Sequence, residues 1–227
     1  MLFSNSVAQL PNQVIFNETV IKEVKSTKFL GITIDNKLSW KYHIDNICKT
    51  VSRNIGIINR VKHFLPLSVL LTLYSTFILP HLNYGILAWG NSAEIRIGKL
   101  LLLQKRIIRI ICNTSYRSHT DELFHNNKIL KINDLYLFNL GQFMYKINEN
   151  NVPASVKPMF QKNNNVHNYP TRQANDFHIP KARTNFVKRN FLFTGPKFWN
   201  SLDQSMKETR TLNKFKYRLK MLFIDKY

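Results

Sequence analysis

Lysine and arginine, rather than carboxylate, thiol or imidazole, are the residue types whose spacing in this sequence supports chemistry. Lys49, Arg53 and Arg60 fall within about 40° of one another when residues 41–65 are wound as a helix. Lys105, Arg106 and Arg109, with Lys99, share an arc of a second helical pattern near 94–112. Farther along, Arg172, Lys181, Arg183, Lys188 and Arg189 are interleaved with Tyr169, Phe177, Phe186, Phe191 and Phe193. A stripe of cations engages phosphates, and cations alternating with aromatics suit an unpaired strand through phosphate contact and base stacking. Each set has a plainer reading: a solvated helix face, arginines that cap carbonyls, a small aromatic core with outward cations.

The other reactive residue types are poorly arranged. Two-metal chemistry needs at least two carboxylates converging on one site, and the 13 acids are scattered, with no two aspartates adjacent or one residue apart. Asp35, beside Asn36, has the character of a turn former. The seven histidines contain no pair four residues apart, and Cys48 and Cys112 are too few for a disulfide framework or a zinc knuckle. Phosphate-binding glycine loops, zinc helices and nucleophile elbows are missing from the sequence. No catalytic residue, metal, cofactor or small-molecule ligand is therefore expected in this chain.

Charge completes the picture. The sequence has 33 bases against 13 acids, a formal +20 over 227 residues, far beyond what solubility demands. Residues 41–118 carry 11 bases against 2 acids and residues 151–227 carry 15 against 4, whereas 119–150 carry 3 against 4. From Lys49 to Glu94 no acid intervenes, and a face meant only for solubility mixes its signs. A polyanion, RNA or DNA, is the expected partner. The stretch from Leu65 to Leu79 is short and interrupted by Pro66 and hydroxyl residues, so a buried helix is expected rather than a membrane span. The first 13 residues make a poor secretory signal, and a reducing compartment, nucleus or cytoplasm, fits best.

The elements that must position these cations follow from periodicity. β-Branched and aromatic residues over 14–34, ending in FLGITID, predict a small antiparallel meander closed at Asp35-Asn36. From Trp40 the period becomes helical. Helices are predicted over 41–65, from Leu67 to Leu79 ahead of Pro80, near 94–112, over 132–149 and from an N-cap at Thr211. A short helix and loop are expected around Gly85 and Gly90. Pro and Asn clusters over 150–180 predict a flexible linker, while 177–179 and 187–193 read as strands with a turn at Gly195-Pro196. Trp199 reads as a packing anchor. The fold class is α+β, predominantly helical, with an N-terminal hairpin region (1–40), a helical bundle (41–118) and a small α+β C-terminal domain (119–227).

Several runs occur in an order that resembles the end of the palm, the thumb and the C-terminal region of non-LTR retrotransposon reverse transcriptases of the jockey or LINE-like kind. They are KFLGITIDNKLSWKYHI (28–44), ILPHLNYGILAWG (78–90), LQKRIIRII (103–111), DELFHNNKILKINDLY (121–136), FTGPKFWNSL (193–202) and FKYRLK (215–220). The resemblance implies that Phe29, Leu30 and Gly31 form the tip of a primer-grip hairpin, and that 41–118 is a thumb tracking a primer–template duplex. Gly31, without a Cβ, would let a nucleic acid approach. It further implies that the catalytic Tyr-x-Asp-Asp turn and its Mg²⁺ lie upstream of this chain, with Met1 to Ser4 resembling the strand that follows that turn. The chain is then expected to be catalytically silent by itself. A stand-alone basic RNA- or chromatin-binding protein, or a relic of a decayed element, are the alternatives.

Overall fold

The structure is a computed structural model that describes residues 14–21, 23–166 and 172–227. It is predominantly helical, with a small β region at its N-terminal end. Strands β1 (Val14–Phe16) and β2 (Thr19–Ile21) form one hairpin, and β3 (Ser26–Phe29) and β4 (Ile32–Asp35) form another, each a separate two-stranded antiparallel sheet rather than one meander. Helices α1 (Lys41–Val61), α2 (Leu67–Leu73), α3 (Leu79–Asn83), α4 (Ile86–Trp89) and α5 (Glu94–Ile111) follow, then α6 (Asp121–Asn126) and α7 (Ile132–Asn148). The remainder contains a 3₁₀ turn at Lys157–Met159, α8 (Asn163–Val166), α9 (Asn185–Lys188), α10 (Phe191–Asn200), α11 (Gln204–Lys207) and α12 (Leu212–Ile224).

The apolar stripe of α1, Ile44, Ile47, Val51, Ile55 and Ile58, is buried, and α1 packs most extensively against α5, on which Leu100, Ile107 and Ile108 are fully buried. Helix α7 is the second axis of the core, receiving α5 on one side and α10 and α12 on another. One buried side chain ties the two together. The Gln104 amide donates to Tyr74 Oη (2.9 Å) and to the Leu130 carbonyl (3.1 Å), and its oxygen accepts from the Ile132 N–H (2.8 Å). With every bond made, a fully buried amide costs little and caps the first turn of α7. Among the described residues no helix is long and apolar enough to cross a membrane.

Four expectations are corrected. Pro80 does not end its helix, because residues Tyr74–Ile78 widen into a π turn in which the Leu79 N–H reaches the Tyr74 carbonyl. This inserts one extra residue ahead of the proline, which has no N–H to donate and falls at the start of α3. Residues 187–193 are not a strand but the end of α9 and the start of α10: the Thr184 hydroxyl accepts from Val187 N–H and the Asn190 side chain from Leu192 N–H, capping the two helices. Gly195-Pro196 is no turn but lies inside α10, buried against α7. A Cβ at Gly195 would come within 2.8 Å of Met144 Sδ, so the helix–helix approach uses the glycine and tertiary packing overrides the breaker. Near Phe177 the β structure is a single bridge to Lys162, and the Asn200 amide pairs with both backbone groups of Phe177 (3.1 and 2.8 Å). Trp199 is buried, as expected of an anchor, in contact with Tyr145, Phe177 and Phe215.

Candidate nucleic-acid interface

The β3–β4 hairpin has a two-residue turn whose central residues both have positive φ, Leu30 at 44° and Gly31 at 79°. Such a turn matches strand twist, but its first position ordinarily takes Asn, Asp or Gly, because a Cβ clashes there. Leucine is held in that conformation by Tyr84, whose hydroxyl donates to the Leu30 carbonyl (2.7 Å). The tyrosine ring also fills the space a Gly31 side chain would need, 3.2 Å from an ideal Cβ. The bare face of Gly31 is thus taken up by Tyr84. Gly85 (φ 60°) brings the backbone up to Ile32, whose Cδ1 would lie 2.4 Å from a Cβ there. Two runs distant in sequence, FLGITID and LNYG, therefore build one platform, and its tip presents Phe29 and Leu30 to solvent at 61% and 73% exposure.

The base of the hairpin is fixed by Asp35 and His43. Asp35 is buried, and its carboxylate accepts from the N–H groups of Lys37, Ser39 and Trp40 and from the Ser39 hydroxyl. Those four bonds use its oxygens as a turn anchor, so the expectation of a turn former holds. His43 Nδ1 accepts from the Thr33 N–H (3.3 Å), and its ring meets Trp89 edge-on at 5.6 Å. Burial pushes the His43 pKa below its ordinary value.

Between α1 and α5 runs an open groove of about 640 Å³, walled by Asp45, Cys48, Lys49, Ser52, Lys99, Leu102, Leu103, Arg106, Arg109 and Tyr116. It continues into a smaller depression of about 240 Å³ that adds Asn59 and Lys62 and shares Arg106, Arg109 and Tyr116. The first two cation sets thus meet in space: Lys49 from α1 joins Arg106 and Arg109 from α5. Asp45 is the single acid of these walls, and Lys99 neutralises it at 3.2 Å. Arg109 is partly committed, donating to the Ser118 carbonyl (2.9 Å) with its guanidinium over Tyr116.

Other members stand apart. Arg53 and Arg60 are exposed on α1 but do not line the groove. Lys105 faces Asp121, whose carboxyl is held below its usual range by its hydrogen bond to Lys131, with a smaller contribution from Lys105. Arg172, Arg183, Lys188 and Arg189 are all exposed, while Phe177 and Phe191 turn into an aromatic core with Phe160. Phe186 remains outside, and Tyr169 lies outside the described residues. Lys62, Tyr84 and Tyr116 were not singled out by pattern. Lys62 sits at the end of α1, where helical phase is least secure, and the tyrosines lie in irregular segments where periodicity gives no signal.

No group of three His, Cys, Asp or Glu that could hold a metal occurs among the described residues, and Asp35, the best placed acid, has its oxygens engaged. The residues present do not fit a Mg²⁺ site.

The chain is related to the RNA-directed DNA polymerases of non-LTR retrotransposons. Over 150 residues, 64% of the chain, it is 27% identical to the RNA-directed DNA polymerase from mobile element jockey of Drosophila melanogaster. It is 24% identical over 58% of the chain to the jockey polymerase of Drosophila funebris, and 23% identical over 55% to the probable RNA-directed DNA polymerase from transposon X-element of Drosophila melanogaster. The matches cover 14–16% of those relatives, so the chain spans about a sixth of their length. No family model matches the chain, and no solved structure does.

Proposed function

We propose that this chain is the nucleic-acid-holding part of a retrotransposon RNA-directed DNA polymerase, comprising the end of the palm, the thumb and the C-terminal region. In this reading the sugar-phosphate backbone of a primer–template duplex lies along the α1–α5 groove. Phe29 and Leu30, at the exposed hairpin tip, meet the primer end, with Gly31 seated on Tyr84 behind them. The observation that carries the reading is the convergence of Lys49, Lys62, Arg106 and Arg109 on the groove and its adjoining depression, whose single acid, Asp45, is already paired with Lys99. A cavity so lined concentrates anions and has no counter-charge left to refuse them. Arg53 and Arg60 extend the same positive surface along α1, whereas Arg172, Arg183, Lys188 and Arg189 are exposed on the C-terminal part and suit an unpaired strand rather than the duplex.

The test is binding of an RNA–DNA duplex by the purified chain across a salt series. Affinity falls steeply with salt in this reading, and Lys49→Glu with Arg106→Glu weakens binding irrespective of sequence. The purified chain gives no primer extension with Mg²⁺ or Mn²⁺, since the metal-binding carboxylates belong to another segment. Affinity that is insensitive to salt and to both substitutions would remove the groove from consideration.

A further inference from the structure

A second cavity, of about 440 Å³, lies where three distant parts of the chain meet. The β4–α1 connection gives it Lys37, Leu38, Ser39 and Trp40. The α4–α5 connection gives it Asn91, Ser92, Ala93 and Arg96, and the C-terminal part contributes Phe186, Arg189, Asn190 and Phe191. It shares no wall residue with the α1–α5 groove. We infer that this cavity binds one unpaired nucleotide of a nucleic-acid strand, its base against Trp40, Phe186 and Phe191 and its phosphate among Lys37, Arg96 and Arg189.

Three observations argue for that ligand class. The walls combine three aromatic rings with three cations and contain no carboxylate; Glu94, exposed on the neighbouring turn, does not line the cavity. A ligand that satisfies both sets is at once flat, apolar-faced and anionic, which describes a nucleotide. The first turn of α5, an 18-residue helix with no side-chain N-cap, borders the space through Ala93 and Arg96. Its positive end adds to the attraction for phosphate. The seam is also closed by a bond: Asn91 Nδ2 donates to the Arg189 carbonyl (2.9 Å), fixing α9 and α10 against the α4–α5 connection so that the walls are preformed. Stacking sites read any base, so no base preference is expected.

The inference shares with the proposed function only the premise that the chain meets nucleic acid, and the two fail separately. The chain has three tryptophans, of which Trp89 and Trp199 are buried and Trp40 lines this cavity. Titration with a five-residue oligouridylate is therefore followed by tryptophan fluorescence, in wild type, Trp40→Phe, Arg96→Glu with Arg189→Glu, and Lys49→Glu with Arg106→Glu. Quenching is expected in wild type and abolished in Trp40→Phe. The affinity for the oligouridylate falls about tenfold or more in the Arg96/Arg189 variant, the loss expected for charged phosphate contacts. That variant binds RNA–DNA duplex with unchanged affinity, and the Lys49/Arg106 variant shows the converse. Circular dichroism melts accompany each variant, and Arg96→Gln with Arg189→Gln repeats the measurement if the charge reversals unfold. Absent quenching in wild type, or equal losses for oligouridylate and duplex in the cavity variant, would overturn the assignment.

Discussion

Leu30 carries a conformation its side chain disfavours, and Tyr84 holds it there through one hydrogen bond and a ring packed under Gly31. Strain of this kind persists where surrounding structure imposes it, and at an exposed apolar tip it points to a surface shaped for contact rather than for stability. Leu30→Asn, which suits the turn, is expected to raise stability by about 1 kcal/mol in chemical denaturation while weakening binding of a primer terminus. A loss of stability would contradict the turn assignment. Gln104 poses the reverse case: Gln104→Leu keeps the volume but strands Tyr74 Oη, the Leu130 carbonyl and the Ile132 N–H. The expected cost is about 3 kcal/mol, read as a lower denaturation midpoint. His43 sets a pH dependence. Because burial depresses its pKa below 6.5, the unfolded chain takes up a proton that the native chain refuses over the window just below 6.5. Stability is complete above that window and declines as the pH falls through it. Thermal melts of wild type and His43→Gln should show a gap that narrows in acid; a constant gap between pH 8 and 5 would exclude the imidazole as the cause.

At the scale of elements, the hairpin and the α3–α4 corner act as one unit. Gly85→Ala forces a side chain into a positive-φ position under Ile32, and the expected loss is about 1–2 kcal/mol together with looser amide protection across β3 and β4. Hydrogen exchange is the measurement. The α1–α5 groove permits a graded test, since each phosphate contact removed lowers the slope of log affinity against log salt by about one. Lys49→Glu, Lys62→Glu and Arg106→Glu are each expected to do so. An unchanged slope in Arg53→Glu with Arg60→Glu would confine contact to the groove itself. Helical pattern revealed both basic stripes, but not that they face each other, because periodicity gives the phase of a helix about its own axis and says nothing about its neighbour. The breakers were misjudged for a related reason. Pro80 and Gly195-Pro196 are local signals, whereas the π turn before one and the close α7–α10 approach around the other are settled by packing.

For the molecule as a whole, the +20 charge is spread over both halves, and contacts between those halves decide which cations act together. The Asn91–Arg189 and Tyr136–Thr194 bonds fasten the C-terminal part to the α4–α5 connection and to α7, so Arg189 shares a cavity with Lys37 and Arg96. The chain's similarity extends over about a sixth of the length of jockey-type polymerases, and under the proposed function primer extension is expected only once the chain is joined to a segment that supplies metal-binding carboxylates; extension by the purified chain would overturn that reading.

The sequence by itself determined that the chain is mostly helical, which residues of α1 and α5 form basic stripes, that Asp35 anchors a turn, and that Trp199 goes inside. Each follows from short-range rules of period, capping and side-chain volume. Only the tertiary structure decided that the LNYG corner seats the FLGITID hairpin, that Lys49 faces Arg106, and that Trp40 and Phe186, 146 positions apart in the sequence, wall one cavity. Those juxtapositions depend on how the faces of separate elements dock, and docking is fixed by the packing of many side chains at once, which no local pattern encodes.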